Sequence, residues 1–468
     1  MQTADLVIVG AGPAGMAAAA TAAECGLSVL LLDEQAAPGG QIYRGVEQVT
    51  PVRGAILGQD CTDGLPLVQG LSGNGISHLG GTVVWAIEDG TRVCYSRNGE
   101  AATIEAGRIL LATGALERPM PVPGWTLPGV ITAGAAQILM KQSGIVCVNA
   151  VLAGSGPLLY LLAAQMVRAG APPRALVETQ SLKDMMTAMP HLAGALKGWR
   201  YLAKGLGLLG ELRKAGVPRH TGARAIAIEG ETCATAIRFE AGGRQHRIDC
   251  ETVLLHHGVV PNAQASRSIG AAHRWNGRQH CFEPVLDDWG RSSVDSVFVA
   301  GDGAGIGGAN AAALAGRLAA LAIACDLGKL TGASLDAKAR PLRRALAREL
   351  AARPVIDLAY PPCPAALLPQ DGTIVCRCEE VTAGDIRNHA RLGCLGPNQA
   401  KAYGRAGMGP CQGRYCGLTV TNLLAEANGA TPDQTGYFRI RPPIKPVTLG
   451  ELAALKVAGR DDNRPESG

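Results

Sequence analysis

The chain has 468 residues, nearly half of them hydrophobic but only 4% aromatic, with 62 glycines and a formal net charge of +5. That length exceeds what one hydrophobic core supports, so two to four domains are expected, and small-residue helices packed closely on sheets favour an α/β class. The modest charge, with no lysine- or arginine-rich run interleaved with aromatics, argues against a nucleic-acid partner.

Met1 to Asp5 lead directly into the apolar run Leu6-Val7-Ile8-Val9, leaving no room for a cleavable signal segment. No apolar stretch free of polar interruption reaches the roughly 18 to 20 residues of a membrane-spanning helix. The expectation is a cytoplasmic protein without a transmembrane segment. In that reducing compartment fourteen cysteines point to metal binding or redox chemistry rather than a disulfide scaffold.

The first run is followed by Gly10-Ala11-Gly12-Pro13-Ala14-Gly15, an alanine-rich helix to Cys25, and a second apolar run, Val29 to Leu32. This reads strand, tight turn, helix, strand. Gly10 permits the turn, Gly12 lets backbone approach a pyrophosphate, Gly15 lets helix and strand pack closely, and Glu34 stands where a carboxylate accepts from the ribose hydroxyls of an adenosine. Further along come Leu110-Leu111-Ala112-Thr113-Gly114-Ala115 and Val297-Phe298-Val299-Ala300-Gly301-Asp302, the latter opening into glycines and an alanine-rich helix to Ala324. The alternative role for Asp302 is a helix N-cap before the glycine loop.

Between these segments lies a second unit: an apolar run from Cys147 to Ala153, Gly154-Ser155-Gly156-Pro157, a helix to about Ala169, and Ala175-Leu176-Val177-Glu178. Leu159 takes the third glycine position, which pushes helix from strand, while Glu178 sits where an acid binds a ribose and argues against a 2′-phosphate. NADH, another adenine nucleotide, or an empty fold all remain open. Val253 to Leu255, then His256-His257-Gly258, closes this unit, and the paired histidines read as structural, lacking an acid or cysteine at ligand spacing. No Cys-x-x-Cys occurs and Cys147 stands alone, so a flavin-linked dithiol of the disulfide-reductase kind is not expected.

Beyond the helix-like Leu335 to Ala352, a proline-rich stretch from Tyr360 to Pro369 reads as a linker. A small domain then opens with Cys376-Arg377-Cys378 and carries Cys411 and Cys416 in Cys411-Gln412-Gly413-Arg414-Tyr415-Cys416, with a capping signal from Thr382 to Asp385 between the pairs. Four thiolates suit a two-iron cluster with each close pair gripping one iron, or a single zinc, and Cys-x-Cys is tight for zinc. Cys363 and Cys394 read as structural. The segment from Tyr437 to Pro446 is proline-rich yet apolar and reads as an arm packed on a surface, and Arg460 to Gly468 as a disordered polar end.

Residues 1 to about 330 resemble the two-dinucleotide-fold flavoprotein oxidoreductases, the superfamily of thioredoxin reductase and dihydrolipoamide dehydrogenase. The resemblance implies FAD held by Gly10, Gly12, Gly15, Glu34, Gly40, Gln41, Thr113, Gly114, Gly301 and Asp302, and a second nucleotide, an adenine nucleotide or NAD, at Gly154, Gly156 and Glu178. Residues 371 to about 430, through Val375-Cys376-Arg377-Cys378-Glu379-Glu380-Val381-Thr382, resemble the bacterioferritin-associated-ferredoxin-like module, which implies a 2Fe-2S cluster on Cys376, Cys378, Cys411 and Cys416. The implied fold class is α/β, glutathione/thioredoxin reductase-like, with a small C-terminal iron–sulfur domain. Its parts are residues 1–120 and 285–330 for the FAD domain, 121–284 for the inserted NAD-like domain, 331–370 for helix and linker, 371–430 for the cluster domain and 431–468 for the arm.

This order resembles the α subunit of heteromeric amino-acid and opine dehydrogenases. It implies a flavoprotein β subunit that carries the substrate site, room for a small ferredoxin-like γ subunit, and room for FMN at a subunit boundary. Electrons would pass through this chain's FAD and cluster. No general base or substrate-carboxylate clamp stands out, so no catalytic residue is assigned. The alternative is a stand-alone NADH-dependent reductase.

Overall fold

The computed structural model describes residues 2–455; Met1 and the polar end from Arg460 to Gly468 lie outside the described residues. β1 (Gln2–Val9) is flanked in parallel by β2 (Val29–Asp33) and, further on, by β6 (Glu100–Leu111). β3 (Ile76–Gly80) extends the sheet beyond β2, and β4 (Thr82–Glu88) and β5 (Arg92–Arg97) form an antiparallel meander with β6. Leu6, Val7 and Ile8 are completely buried because both faces of this sheet are covered.

The cover on one face is built from small residues. The helix Pro13–Glu24 starts with proline at its first turn and packs along the helix Ala309–Asp326. A Cβ at Gly316 would stand 2.1 Å from the carbonyl oxygen of Ala14. The helices touch through backbone, which explains why this core needs so few aromatics.

After β6 the chain crosses through β7 (Ala115–Glu117) into a second sheet. That sheet runs β11-β10-β9-β15-β8, all parallel, from β8 (Val130–Thr132), β9 (Ala150–Gly154), β10 (Ala175–Glu178), β11 (Arg219–Thr221) and β15 (Thr252–His256). A three-stranded antiparallel layer, β12 (Arg224–Glu229), β13 (Ala236–Ala241) and β14 (Arg244–Asp249), packs on it. β16 (Val259–Pro261) pairs antiparallel with β7 to close the crossover, the hairpin β17 (His273–Asn276) and β18 (Cys281–Pro284) follows, and β19 (Val297–Val299) rejoins the first sheet beside β6.

Three features go beyond the expectation. The helix Ala309–Asp326 is long and apolar enough, by length and composition, to cross a membrane, although Asn310 and Arg317 interrupt its apolar run. Just over half of its residues are buried, against the helix Pro13–Glu24 and the helix Gly332–Leu350, as in a core helix. Second, residues 182–214 form a run of short helices ending in Trp199–Lys214, where sequence periodicity marks no boundary. Third, the proline-rich linker is preceded by a helix, Arg353–Ala359, and holds another short one, Pro364–Leu367.

The C-terminal part places the helices Ala383–Arg391, Pro397–Gly404 and Gly417–Ala427 around a buried core that includes Val375, Ile386, Val420 and Leu423. Thr382 and Asp385 form a reciprocal capping box. The arm packs into the same core through Phe438, Ile440 and Ile444, then runs along the first sheet, where the Ile444 N–H donates to the Trp85 carbonyl at 2.8 Å.

Candidate functional site

The first glycine loop is shaped by steric necessity. Gly10 has φ +106°, and a Cβ there would stand 2.4 Å from the Ala112 carbonyl oxygen; one at Gly15 would stand 1.9 Å from the Gly10 oxygen. The chain then returns to the loop twice. The Gly39 N–H donates to Ala11 O at 2.8 Å, and a Cβ on Gly40 would meet Gly12 Cα at 2.8 Å. From the other end of the chain, a Cβ on Gly301 would meet Ala14 Cβ at 2.8 Å. Gly10, Gly12, Gly15, Gly40 and Gly301 thus line one backbone cradle at a helix N-terminus. A cradle that any Cβ would fill, opening onto the free N–H groups of a first helical turn, fits the pyrophosphate of FAD.

The ribose acid needs correction. β2 ends at Asp33, whose Oδ2 accepts from the Ala11 N–H at 2.5 Å while Oδ1 accepts from the Gln35 N–H. Burial raises the pKa of this carboxyl against the pull of those two donors. Glu34, one residue later, points the other way because strand side chains alternate, and it pairs with Lys445 of the arm at 2.7 Å. Asp33, not Glu34, is therefore the carboxylate at the glycine loop.

Around the cradle, Gln41 contributes its carbonyl oxygen, which with that of Ile42 accepts from Lys141 Nζ at 3.0 Å. Burial holds the pKa of this lysine below its usual value. Lys141 comes from the inserted domain, about a hundred residues on, and no sequence signal marks it. Asp302 accepts through Oδ1 from the Gly307 and Gly308 N–H groups at 2.9 Å, so one of its oxygens organises the turn before the helix Ala309–Asp326. Gly308, not Asp302, is that helix's N-cap. Thr113 donates to the Asn262 carbonyl at 2.9 Å, and the Asn262 N–H donates to Gly114 O at 2.9 Å, which ties the two crossovers together.

The second glycine loop is filled from within. The Ser155 N–H donates to His256 O at 2.7 Å, and a Cβ on Gly156 would stand 3.0 Å from His256 Nε2, so the imidazole covers Gly154 to Gly156. His256 Nδ1 meets Glu117 Oε1 at 2.7 Å, an acid partner 139 residues upstream that spacing could not show. Glu178 is completely buried. Arg219 donates to it through Nε at 2.6 Å and Nη2 at 2.9 Å, Tyr160 donates its hydroxyl at 2.8 Å, and the Gln180 amide donates too. Tyr360 of the linker lies edge-on to Tyr160, ring centroids 6.0 Å apart. Glu178, read from the sequence as standing where an acid binds a ribose, thus has its acceptor sites met by the protein's own donors. His257, fully buried and held neutral by desolvation, donates from Nε2 to Pro119 O and accepts the Cys363 N–H at Nδ1, 3.2 Å away.

In the C-terminal part the four cysteines pair across the sequence. Cys378 Sγ and Cys411 Sγ are 3.8 Å apart, and Cys376 is hydrogen-bonded to Cys416. Cys376, at the end of a short strand (Ile374–Cys376), is buried and Cys378, in the turn after it, is exposed, so each meets one member of the second pair. The bond from Cys416, with backbone N–H groups of Gly407, Glu379 and Cys378, lowers the Cys376 pKa to about 6, while the same bond and burial push Cys416 well up. Among the described residues no three cysteine, histidine or carboxylate side chains converge on a single ion position. Two separate thiol pairs, one buried and one outward, fit a two-iron cluster better than a tetrahedral zinc. Cys363 and Cys394 are buried outside this group.

The cysteine loop and the flavin-side crossover touch. The Gln264 amide donates to Gln412 O at 3.1 Å and Cys411 O at 3.4 Å, two residues after Asn262. The Trp125 indole donates to Ile374 O at 2.7 Å, two residues before Cys376.

Fold and glycine cradle define the class. Residues 4–319 match the pyridine nucleotide-disulphide oxidoreductase family, to which the chain belongs, and residues 371–456 match the sarcosine oxidase A3 domain. The chain is a flavin-dependent oxidoreductase, and that family implies FAD. Within it the chain belongs with the A subunits of opine oxidases: it is 44% identical to the one from Rhizobium meliloti over 96% of this chain and 98% of that protein. It is 34% identical to the HcnB subunit of hydrogen cyanide synthase from Pseudomonas aeruginosa over 96% and 98% of the two chains. The solved L-proline dehydrogenase of P. horikoshii has the same fold, with a TM-score of 0.69, 20% identity, and 96% of this chain and 79% of that one covered.

Proposed function

We propose that this chain is the electron-transfer subunit of a hetero-oligomeric dehydrogenase that oxidises the C–N bond of an amino acid, imino acid or opine in a separate flavoprotein subunit. The observation that carries the reading is the pairing of two redox-type sites on one rigid contact. The glycine cradle and the cysteine group are bridged by Thr113, Asn262 and Gln264, while Glu178 of the second fold is held by the protein's own Arg219, which supports a chain that is not reduced by a nicotinamide.

FAD, when bound, accepts electrons in pairs and releases them singly. The chain's own residues then have separable tasks. Gly10, Gly12, Gly15 and Gly40 leave room for the pyrophosphate, and Asp33 would accept from the adenosine ribose. Gln264 holds the cysteine loop against the crossover that carries Thr113 and Gly114. Cys376, Cys378, Cys411 and Cys416 would hold a 2Fe-2S cluster, with Cys378 on the outward side open to an acceptor or a small ferredoxin-like subunit. The relatives from opine oxidase and hydrogen cyanide synthase are themselves single subunits of larger enzymes, which supports a complex in which substrate selection lies elsewhere. FMN at a subunit boundary is compatible with this arrangement. No residue here is given a catalytic role. The proposed site of action is the cytoplasm.

The test is anaerobic. The chain is co-purified with its native partners, its visible spectrum recorded, and NADH or a panel of secondary amino acids and opines added. Bleaching by an amino acid only when partners are present supports the relay reading. Bleaching of the isolated chain by NADH would install the second reading, a nicotinamide-dependent reductase, which the saturated Glu178 disfavours.

A further inference from the structure

Between the crossover and the cysteine loop lies a crevice lined by Val260, Gln264, Arg267, Phe282, Arg414 and Tyr437, among others. Arg267 is the unusual member. Its guanidinium lies 4.6 Å from the Phe282 ring centroid and 4.5 Å from that of Tyr437, sandwiched between two aromatic rings. Burial lowers its pKa to about 10, so it remains charged at neutral pH. Its Nη2 is buried with no hydrogen-bond partner, and the same is true of Arg414 Nε. Arg267 is half-buried, and among the described residues no carboxylate pairs with it, a costly arrangement for a guanidinium withdrawn from much of its water.

The loop between Cys411 and Cys416 lies on the other side of Tyr437. The Tyr437 hydroxyl donates to Gly413 O at 3.2 Å, in the loop between Cys411 and Cys416, and both arginines and both of those cysteines act electrostatically on that hydroxyl. Gln264, on the same crevice, touches the carbonyl of Cys411. A four-thiolate cluster carries net negative charge and gains another unit on reduction, so a half-buried cation beside it stabilises the reduced form most.

We propose that Arg267, with Arg414, is the internal counter-charge of the cysteine cluster and sets its reduction potential, favouring electron flow from flavin to cluster. This makes Arg267 a positioning residue acting through the field it creates, and the proposal rests on the iron–sulfur reading above. A purely structural alternative is that Arg267 is a cation–π staple between the β17–β18 hairpin and the arm.

The measurement is a potentiometric titration of the full complex, followed by electron paramagnetic resonance and visible absorbance, for wild type, Arg267→Lys, Arg267→Met and the smaller neutral change Arg267→Gln. The expected result is that Met and Gln each lower the cluster potential enough to shift the flavin–cluster equilibrium at least tenfold, which is about 59 mV for a one-electron couple. Lysine should stay near wild type. An iron-loaded neutral variant with unmoved potential overturns the proposal, as does a lysine variant displaced as far as methionine, which is the staple's signature. Wild-type complex devoid of iron and of a paramagnetic signal would instead bring down the cluster reading itself. If methionine prevents loading, glutamine still decides.

Discussion

Arg219→Met tests the idea that the second nucleotide fold is satisfied from within. The substitution removes two charge-assisted hydrogen bonds, at 2.6 and 2.9 Å, from a carboxylate that has no solvent exposure of its own. Removing one partner of a fully buried ion pair costs about 3–5 kcal/mol. Arg219 itself is a third exposed, so water follows the shorter side chain in and the loss should be nearer about 2–3 kcal/mol after that screening. The Tyr160 hydroxyl and Gln180 amide remain and set the floor. The double variant Glu178→Leu with Arg219→Met removes the stranded charge as well, and hydrophobic replacement of a buried pair is close to neutral, so most of the loss should return. The assay is denaturant unfolding followed by Trp fluorescence, with the midpoint compared among the four members of the cycle. A single variant within about 0.5 kcal/mol of wild type, the range of ordinary surface changes, would refute the reasoning, and so would additive losses in the double variant.

Other consequences can be checked on the same preparation. Asp33→Ala should weaken FAD binding by roughly 1.5–3 kcal/mol, about ten- to a hundredfold, whereas Glu34→Ala should leave it within a factor of about two, as read by flavin fluorescence on dilution. Cys378→Ser and Cys411→Ser should each abolish retained iron while leaving bound FAD, measured by iron content against flavin absorbance. Burial holds His257 and His273 neutral in the fold, His273 down to about 4. Both would take up protons only on unfolding, so stability is intact above pH of about 6.5 and falls below it, by up to about 1.4 kcal/mol per pH unit for each. Melting temperature should therefore drop as pH falls from about 6.5 to about 4.5, and His273→Gln should flatten that drop.

The first nucleotide fold was legible because its steric demands are local: Gly10, Gly12 and Gly15 sit within six residues, and a strand, a helix and a second strand flank them in order. The cysteine pairs were legible for the same reason. What was not legible depends on contacts across the chain. Whether Asp33 or Glu34 faces the loop turns on where β2 ends, a one-residue matter that alternation then converts into opposite directions. Glu178 looked available because Arg219 and the linker's Tyr360 lie far off in sequence. His256 looked unpartnered because Glu117 precedes it by 139 residues. The pairing of Cys376 with Cys416 requires the fold of the whole module, and Arg267 carries no signal at all until Phe282 and Tyr437 are seen on either side of it.

Why a nucleotide fold persists after its ribose acid has been tied up follows from what leans on it. The inserted domain holds the C-terminal module at separated points: His257 takes the Cys363 N–H of the linker, Trp125 donates to Ile374 beside Cys376 and lies 5.2 Å from the Arg377 guanidinium, and Gln264, just past β16, holds the Cys411 loop. Three anchors on one body fix both the distance and the orientation of a second one. Electron transfer between two centres depends steeply on their separation, and a linker rich in proline could not by itself hold that separation constant. The contacts of Tyr160 and Arg219 with Glu178, and of Tyr360 with Tyr160, stiffen that platform from within. The cysteine module is thereby seated on the crossover, the arrangement that the relay proposed above calls for.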